Sequence, residues 1–170
     1  MDINNILECF FEEPNREYHI RQLAKMARKS PTTMTKMLEK LRKEKVIQRR
    51  QERHHTLYKA ANTTIFKIKK TNHYIEKIIT SGLLEEIVNK LNPSCVILFG
   101  SIRKGESEKG SDIDLFVESQ TESKINTGRY EKNLKHKIQL FIEKDIHKLQ
   151  PHLFNNVVNG IKLHGSFKIK

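Results

Sequence analysis

Residues 95–117 constrain the fold of this 170-residue chain more than any other segment. A short, continuously apolar run at residues 96–99 has the pattern of a fully buried β-strand, and residues 113–117, apolar except for Asp114, are predicted to form a second buried strand. A Gly-Ser pair follows the first run, and an Asp-Ile-Asp sequence opens the second. The segment therefore predicts two core strands, with a tight turn after the first and two carboxylates at the start of the second.

The residue types around this turn suit a phosphorylated ligand. Gly100 lets the backbone turn sharply, and Ser101 is predicted to start a helix as its N-cap. Free amides at a helix start favour anionic oxygens, phosphate above all. Asp112 and Asp114 are two apart and point to one face, where two carboxylates repel each other unless a cation lies between them. Together these groups are the minimum needed to bind a nucleoside triphosphate with Mg²⁺.

The segment also resembles a known family. Gly100-Ser101, Arg103, Gly105 and the Ser-Asp-Ile-Asp-Leu sequence at 111–115 resemble the signature of the DNA polymerase beta nucleotidyltransferase superfamily. The likeness is strongest to the minimal, single-domain prokaryotic members of that superfamily.

The resemblance implies an activity and assigns roles to individual residues. It implies transfer of a nucleoside monophosphate from a triphosphate to a hydroxyl, with release of pyrophosphate. Gly100, Ser101 and Arg103 would bind the nucleotide, and Asp112 and Asp114 would be the catalytic residues that hold Mg²⁺ or Mn²⁺.

A third carboxylate, usual in active family members, is not found where it is expected. The alternating strand at residues 137–142 has Gln139 in that position, and an amide can neither act as a base nor add negative charge. Glu118, Glu143 and Asp145 are the alternatives for the missing acid. Two functions therefore stay open: a nucleotidyltransferase, or a catalytically weak transcriptional regulator that uses the same fold as a nucleotide sensor or antitoxin-like interaction module.

The first 61 residues have a different organisation. Apolar residues at helical spacing predict three helices, the third starting after Ser30 and Pro31, and two alternating runs at 47–51 and 56–60 predict a β-hairpin. This order resembles a winged helix-turn-helix DNA-binding domain. The likeness implies that the third helix enters the major groove and that the hairpin meets phosphates or the minor groove. The DNA-binding residues it implies are Thr32, Thr33, Thr35, Lys36, Arg49, Arg50, Arg53 and His54.

Charge supports a polyanionic partner. The chain carries a formal charge of +12, and residues 40–59 hold eight Lys or Arg against two Glu. We therefore expect double-stranded DNA as a partner of this region, and a winged helix used only for protein contacts is the alternative.

The whole chain is predicted to be a two-domain α/β protein: a winged helix at 1–61, a linking helix at 62–82 and a minimal nucleotidyltransferase domain with a mixed sheet and flanking helices at 83–170. Within the last part, helices are expected at 83–91, 123–135 and 151–159, the last closed by Gly160. The linking helix is expected to pair with its copy in a homodimer, and a partner protein is a further possibility. Two separate cysteines and no long apolar run predict a reduced, cytoplasmic protein without a membrane span.

Overall fold

The computed structural model describes residues 3–52, 55–121 and 123–168. The chain divides into two compact units, Met1–Lys70 and Thr71–Lys170. Both contain helices and a β-sheet, so the protein is a mixed α/β protein, as predicted. Among the described residues, no helix has the length and apolarity needed to cross a bilayer.

The first unit packs three helices against a small antiparallel sheet of strand order β1-β3-β2. Its core is formed by large apolar side chains from every helix, among them Phe10, Leu23 and Leu38. Strand β1 was not predicted, because two residues are too few to show an alternating pattern. The elements are α1 (Ile3–Glu12), β1 (Tyr18–His19), α2 (Ile20–Ala27), α3 (Pro31–Lys43), β2 (Ile47–Glu52) and β3 (His55–Ala60).

Helix α3 begins where the sequence predicted. The Ser30 side chain accepts a hydrogen bond from the Thr33 amide at 3.1 Å, and Pro31 occupies the first helical position. Helix α4 (Thr64–Thr80) follows β3, and the division between the two units falls inside it.

The second unit is built on a four-stranded mixed sheet of order β6-β5-β4-β7, in which only β5 and β6 run parallel. One face of the sheet packs its Val96, Leu98 and Leu115 side chains against helices, and the other packs Ile97 and Phe116 under the last helix. The elements are α5 (Leu83–Leu91), β4 (Cys95–Phe99), α6 (Gly100–Lys104), β5 (Ile113–Glu118), α7 (Gly128–Leu134), β6 (Ile138–Glu143), a 3₁₀ turn (Ile146–Lys148), α8 (Pro151–Val158) and β7 (Ile161–Gly165).

Two local predictions in this unit were wrong. Helix α7 begins at Gly128 rather than at residue 123, because the segment before it has one apolar residue, Ile125, which packs against the core but cannot by itself form the apolar stripe of a helix. Gly160 does not close α8 in a left-handed conformation, since Asn159 caps that helix with φ −85°. A side chain at Gly160 would instead collide with Ile97 and the Leu98 carbonyl, so close packing on β4 is what requires glycine there.

Candidate functional site

The two predicted carboxylates lie together at one end of the central strands. Asp112 immediately precedes β5, and Asp114 is the second residue of that strand. Both are half-buried, on either side of the fully buried Ile113. Asp114 is in register with Phe99 on β4 and with Gln139 on β6. The ends of three strands therefore converge on the pair.

Gly100 brings the turn against Asp114. It directly follows β4 and has φ +72°, a left-handed conformation that favours glycine. A Cβ built at this position would also overlap the Asp114 carboxylate. Both the backbone conformation and the close approach thus require glycine. The contact unites the predicted phosphate-binding turn with the predicted metal-binding carboxylate.

Ser101 is not the helix N-cap that the sequence predicted. Helix α6 already begins at Gly100, with Phe99 at its N-cap position, so Ser101 lies inside the first turn. The strand runs directly into the helix without an intervening loop residue, which moves the helix start forward by one position. Arg103 lies in the last turn of the same helix and is half-buried.

The far end of α6 is held by Thr71. The Thr71 hydroxyl is buried and lies 3.0 Å from the Ile102 carbonyl oxygen and 3.2 Å from that of Arg103, so it donates to this pair of carbonyls. The Ile102 carbonyl also accepts a hydrogen bond from the Gly105 amide at 3.0 Å, so the threonine adds to the capping at the end of this short helix. Thr71 therefore fixes the helix that carries Gly100, Ser101 and Arg103.

The Asp114 carboxylate lies in a position that disfavours its negative charge. Burial, followed by the neighbouring charge of Asp112, raises the pKa of the Asp114 carboxyl. A divalent cation between the two carboxylates would relieve both effects, and carboxylate oxygens are the ligands that Mg²⁺ prefers. The donor set of Asp112 and Asp114 therefore fits a hard divalent cation.

Gln139 occupies the position next to this pair. It is in parallel register with Asp114, and its side-chain amide donates a hydrogen bond to the Asp112 carboxylate. Among the described residues, no group of three or more His, Cys, Asp and Glu side chains could hold a metal ion. The third group at the site is thus neutral, and one Asp112 oxygen already has a protein donor.

None of the three alternative acids reaches the site. Glu118 and Glu143 pair with each other in register four residues further along, roughly 13 Å away at strand spacing. Glu118 accepts hydrogen bonds from the Ser94 hydroxyl and the Ile146 amide, and Asp145 accepts one from the His147 amide. The sheet register therefore keeps these carboxylates at the opposite end of the strands.

His136 is a residue of the site that sequence reasoning missed. It is buried, and its Nδ1 lies 2.5 Å from the Ser111 carbonyl oxygen, which can only accept, so Nδ1 carries the proton. Its Nε2 lies 3.2 Å from the Tyr74 hydroxyl. The ring thus holds the backbone just before Asp112. A single histidine ahead of a strand carries no sequence signal for this role.

A second group of predicted residues lies on α3. Thr32, Thr33, Thr35 and Lys36 are all exposed. The Thr35 hydroxyl donates to the Pro31 carbonyl at 2.9 Å, and that of Thr33 lies 2.9 Å from the Ser30 hydroxyl.

Two exposed lysines that were not predicted as DNA contacts, Lys40 and Lys43, follow Lys36 at four and seven residues and extend its face of the helix. This spacing was visible in the sequence. The lysine face of α3 is defined here as Lys36, Lys40 and Lys43.

The arginines of the hairpin lie on opposite faces of β2. Consecutive strand residues alternate, so Arg49 and Arg50 point apart. Arg49 lies 3.8 Å from Glu39 of α3, whereas Arg50 pairs with Glu17 at 3.4 Å and with Glu52 at 2.8 Å. Of the two hairpin arginines that the structure describes, Arg49 therefore shares a side with α3 and Arg50 does not. Arg53 and His54 lie outside the described residues.

Comparison with known proteins adds one finding. A family model described as a nucleotidyltransferase domain matches residues 81–169, which is more than half of the chain. Gly100, Asp112, Asp114 and Gln139 all lie inside the matched range. No curated protein matches the chain.

Proposed function

Because the chain belongs to the nucleotidyltransferase domain family, we propose that its second unit binds a nucleoside triphosphate together with Mg²⁺ or Mn²⁺. The observation that carries the proposal is the close approach of Gly100 to the Asp114 carboxylate. It places a turn suited to phosphate beside a carboxylate pair suited to a cation. Family membership alone supports only the general class of activity.

Each residue then has a distinct task. Asp112 and Asp114 hold the cation, which when bound neutralises phosphate oxygens. Ser101 and the local amides hold the triphosphate, and Arg103 adds positive charge. His136 and Thr71 fix the backbone on the two sides of this arrangement.

Gln139 limits what the site can catalyse. Transfer of a nucleoside monophosphate requires a proton to leave the attacking hydroxyl, and a positioned base typically contributes 10²–10⁴-fold. An amide cannot take that proton, and the alternative acids lie at the other end of the sheet. We infer that the natural protein binds nucleotide but transfers it weakly to a hydroxyl acceptor.

Binding is tested by calorimetry with each common nucleoside triphosphate and with Mg²⁺ or Mn²⁺. The native protein is compared with an Asp112→Asn, Asp114→Asn double variant, which keeps the side-chain size and removes the charge. We expect metal-dependent binding by the native protein alone. Equal nucleotide binding by both proteins would contradict the proposal.

Turnover is tested separately with labelled nucleotide and lysate acceptors. Gln139→Asp should raise transfer by at least about tenfold, since it supplies the missing acid, whereas the matched Gln139→Asn should not. Rapid metal-dependent transfer by the native protein would show that the third carboxylate is dispensable.

A second function is favoured by the exposed basic residues of the first unit. Three helices followed by an antiparallel hairpin, with the lysine face on α3, support a winged helix that binds duplex DNA. Combined with a neutral Gln139, this arrangement supports a transcriptional regulator that senses nucleotide. The labelled-nucleotide assay separates the two functions, because a sensor binds the nucleotide without forming a labelled product.

A further inference from the structure

Helix α4 has two unlike faces. One face is buried in the protein and includes Phe66, Tyr74 and Ile78. The opposite face is exposed although it is rich in isoleucine: Ile65, Ile68 and Ile79 are 38%, 50% and 51% exposed. These are three of the most exposed large apolar side chains among the described residues. Large apolar side chains aligned on one helix face mark an interaction surface.

The spacing on this face is that of a coiled-coil seam. From Ile65 the face continues through Ile68, Asn72 and Ile75 to Ile79. These residues stand three, four, three and four positions apart, which is the heptad pattern of two helices packed side by side. All of them belong to one continuous helix, so their alignment follows from helix geometry alone. The outer stripe of α4 is defined as Ile65, Ile68, Asn72, Ile75 and Ile79, of which Ile75 is half-buried and also packs against the core of the second unit.

We propose that the outer stripe of α4 binds the outer stripe of a second copy of this chain, with the two helices antiparallel. Asn72 stands at the centre of the stripe and is exposed. An amide buried among isoleucines is costly unless it meets a polar partner. A two-fold axis near Asn72 brings the Asn72 amides of the two copies close to each other and leaves the isoleucines of one copy in contact with those of the other.

Charge complementarity decides the direction of the two helices. Lys69 and Glu76 flank the stripe on the same side, nearly equidistant from Asn72. In an antiparallel pair, Lys69 of each copy therefore lies beside Glu76 of the other. In a parallel pair, Lys69 and Glu76 lie beside the other flank of the stripe, where Thr64 carries no charge and Thr71 is buried, so neither lysine nor glutamate gains a charged partner.

Lys69 already has a partner within its own chain, Glu44 at 3.3 Å. Both side chains are more than a third exposed, and exposed ion pairs contribute little. Exchanging Glu44 for Glu76 of the second copy therefore costs little. A contact between helices of about 25 Å is small for a stable interface, so we expect a dimer that dissociates on dilution.

The dimer is tested by sedimentation of the full chain between about 1 and 200 µM, a range that covers weak association. Ile68→Lys should raise the dissociation constant at least about tenfold, because each dimer loses two half-buried isoleucines. Met26→Lys is the matched control, since Met26 is 45% exposed on α2 and gains the same charge. A monomeric native protein, or equal effects of the two variants, would overturn the proposal.

The antiparallel direction of the two helices is tested by exchanging the charges of Lys69 and Glu76. Lys69→Glu and Glu76→Lys should each weaken the dimer about threefold to tenfold, because each places like charges together. The double variant should recover the native dissociation constant. Thermal unfolding checks that each variant is folded. A double variant as weak as the single ones would overturn the antiparallel arrangement.

Discussion

At the scale of single residues, the site combines a glycine in a left-handed conformation with a pair of neighbouring carboxylates. Gly100 takes a conformation that other residues rarely adopt, and it does so against the Asp114 side chain. Burial, followed by the charge of Asp112, raises the pKa of the Asp114 carboxyl, so the position disfavours its charged form unless a cation is present. Such a cost at a group of convergent polar residues is typical of a site for a charged ligand.

Gly100→Ala should abolish metal-dependent nucleotide binding, because the new methyl group displaces the Asp114 carboxylate. Gly110→Ala is the control: Gly110 also has a positive φ, +88°, but a Cβ there meets nothing within 4 Å. Both variants should lose about 1–2 kcal/mol of unfolding free energy to backbone strain, and only Gly100→Ala should lose nucleotide affinity. Calorimetry and thermal unfolding measure the two effects. Unchanged nucleotide affinity in Gly100→Ala would show that Gly100 does not contribute to nucleotide binding.

At the scale of elements, α3 and β2 distribute positive charge unevenly. The lysine face of α3 is exposed, and Glu39 of the same helix lies 3.8 Å from Arg49. Arg50 lies on the other face of β2, between two glutamates. A duplex placed on α3 would therefore meet Arg49 but not Arg50.

Replacing Lys36, Lys40 and Lys43 with alanine should weaken binding to all duplex sequences. If each lysine touches a phosphate, the slope of log affinity against log salt should flatten by about two to three units. Arg49→Ala should flatten it further, and Arg50→Ala should leave it unchanged. Salt titrations with genomic fragments provide the measurement. If the triple lysine variant keeps the salt dependence of the native protein, the winged helix is used for protein contacts instead.

Helices α5 and α7 are joined by one carboxylate. Glu86 accepts a hydrogen bond from Lys90 at 2.8 Å and others from Tyr130 and Arg129, and its side chain is only 11% exposed. Lys90, followed by Tyr130, lowers the pKa of the Glu86 carboxyl to about 2. A lowered pKa stabilises the folded state above the unfolded value of about 4.3, and this stabilisation is lost as pH falls towards 2.

Glu86→Gln should therefore lower the unfolding free energy at pH 7 by about 1–3 kcal/mol, the value of a hydrogen-bonded charge. The deficit should shrink as pH falls from about 4 to 2. Glu85→Gln is the control, because Glu85 lies in the same first turn of α5 but is exposed. Thermal unfolding across pH measures both. A deficit that does not depend on pH would show that packing, not charge, stabilises this contact.

At the scale of the whole molecule, two units share one helix. The division between them falls inside α4, which contributes Phe66 to the core of the first unit and Tyr74 to that of the second. A regulator that senses nucleotide requires binding in one unit to change affinity in the other. Such coupling is reciprocal by thermodynamic necessity.

Saturating nucleotide with Mg²⁺ should change the DNA affinity of the full chain by at least about fivefold, the lower end of typical allosteric coupling. DNA should change nucleotide affinity by the same factor. The Asp112→Asn, Asp114→Asn variant should bind DNA with the affinity of the nucleotide-free native protein, with or without nucleotide. Fluorescence anisotropy of labelled duplex measures the effect. If the native protein binds DNA with the same affinity with and without nucleotide, it does not act as a nucleotide sensor.

Local patterns in the sequence determined the elements and the candidate residues. Apolar periodicity predicted most helices and strands, Ser30 and Pro31 placed the start of α3, and the two-residue spacing put Asp112 and Asp114 on one face. These signals are readable because helix caps, strand alternation and turns depend on neighbouring residues. They fail where an element is too short, as in β1, or lacks an apolar face, as in residues 123–127.

Only the tertiary structure decided which distant residues meet. The register of β5 and β6 sets Gln139 against Asp112 and keeps Glu118 at the other end of the sheet. The same folding brings His136 to the backbone before Asp112 and Gly100 to Asp114. The family signature predicted that Gln139 and the Gly100 turn belong to the same site as the carboxylates, but no local pattern encodes the contact of His136 or the exact contacts of the others. These contacts join residues far apart in the chain and form only when the packed sheet sets the relative position of its strands.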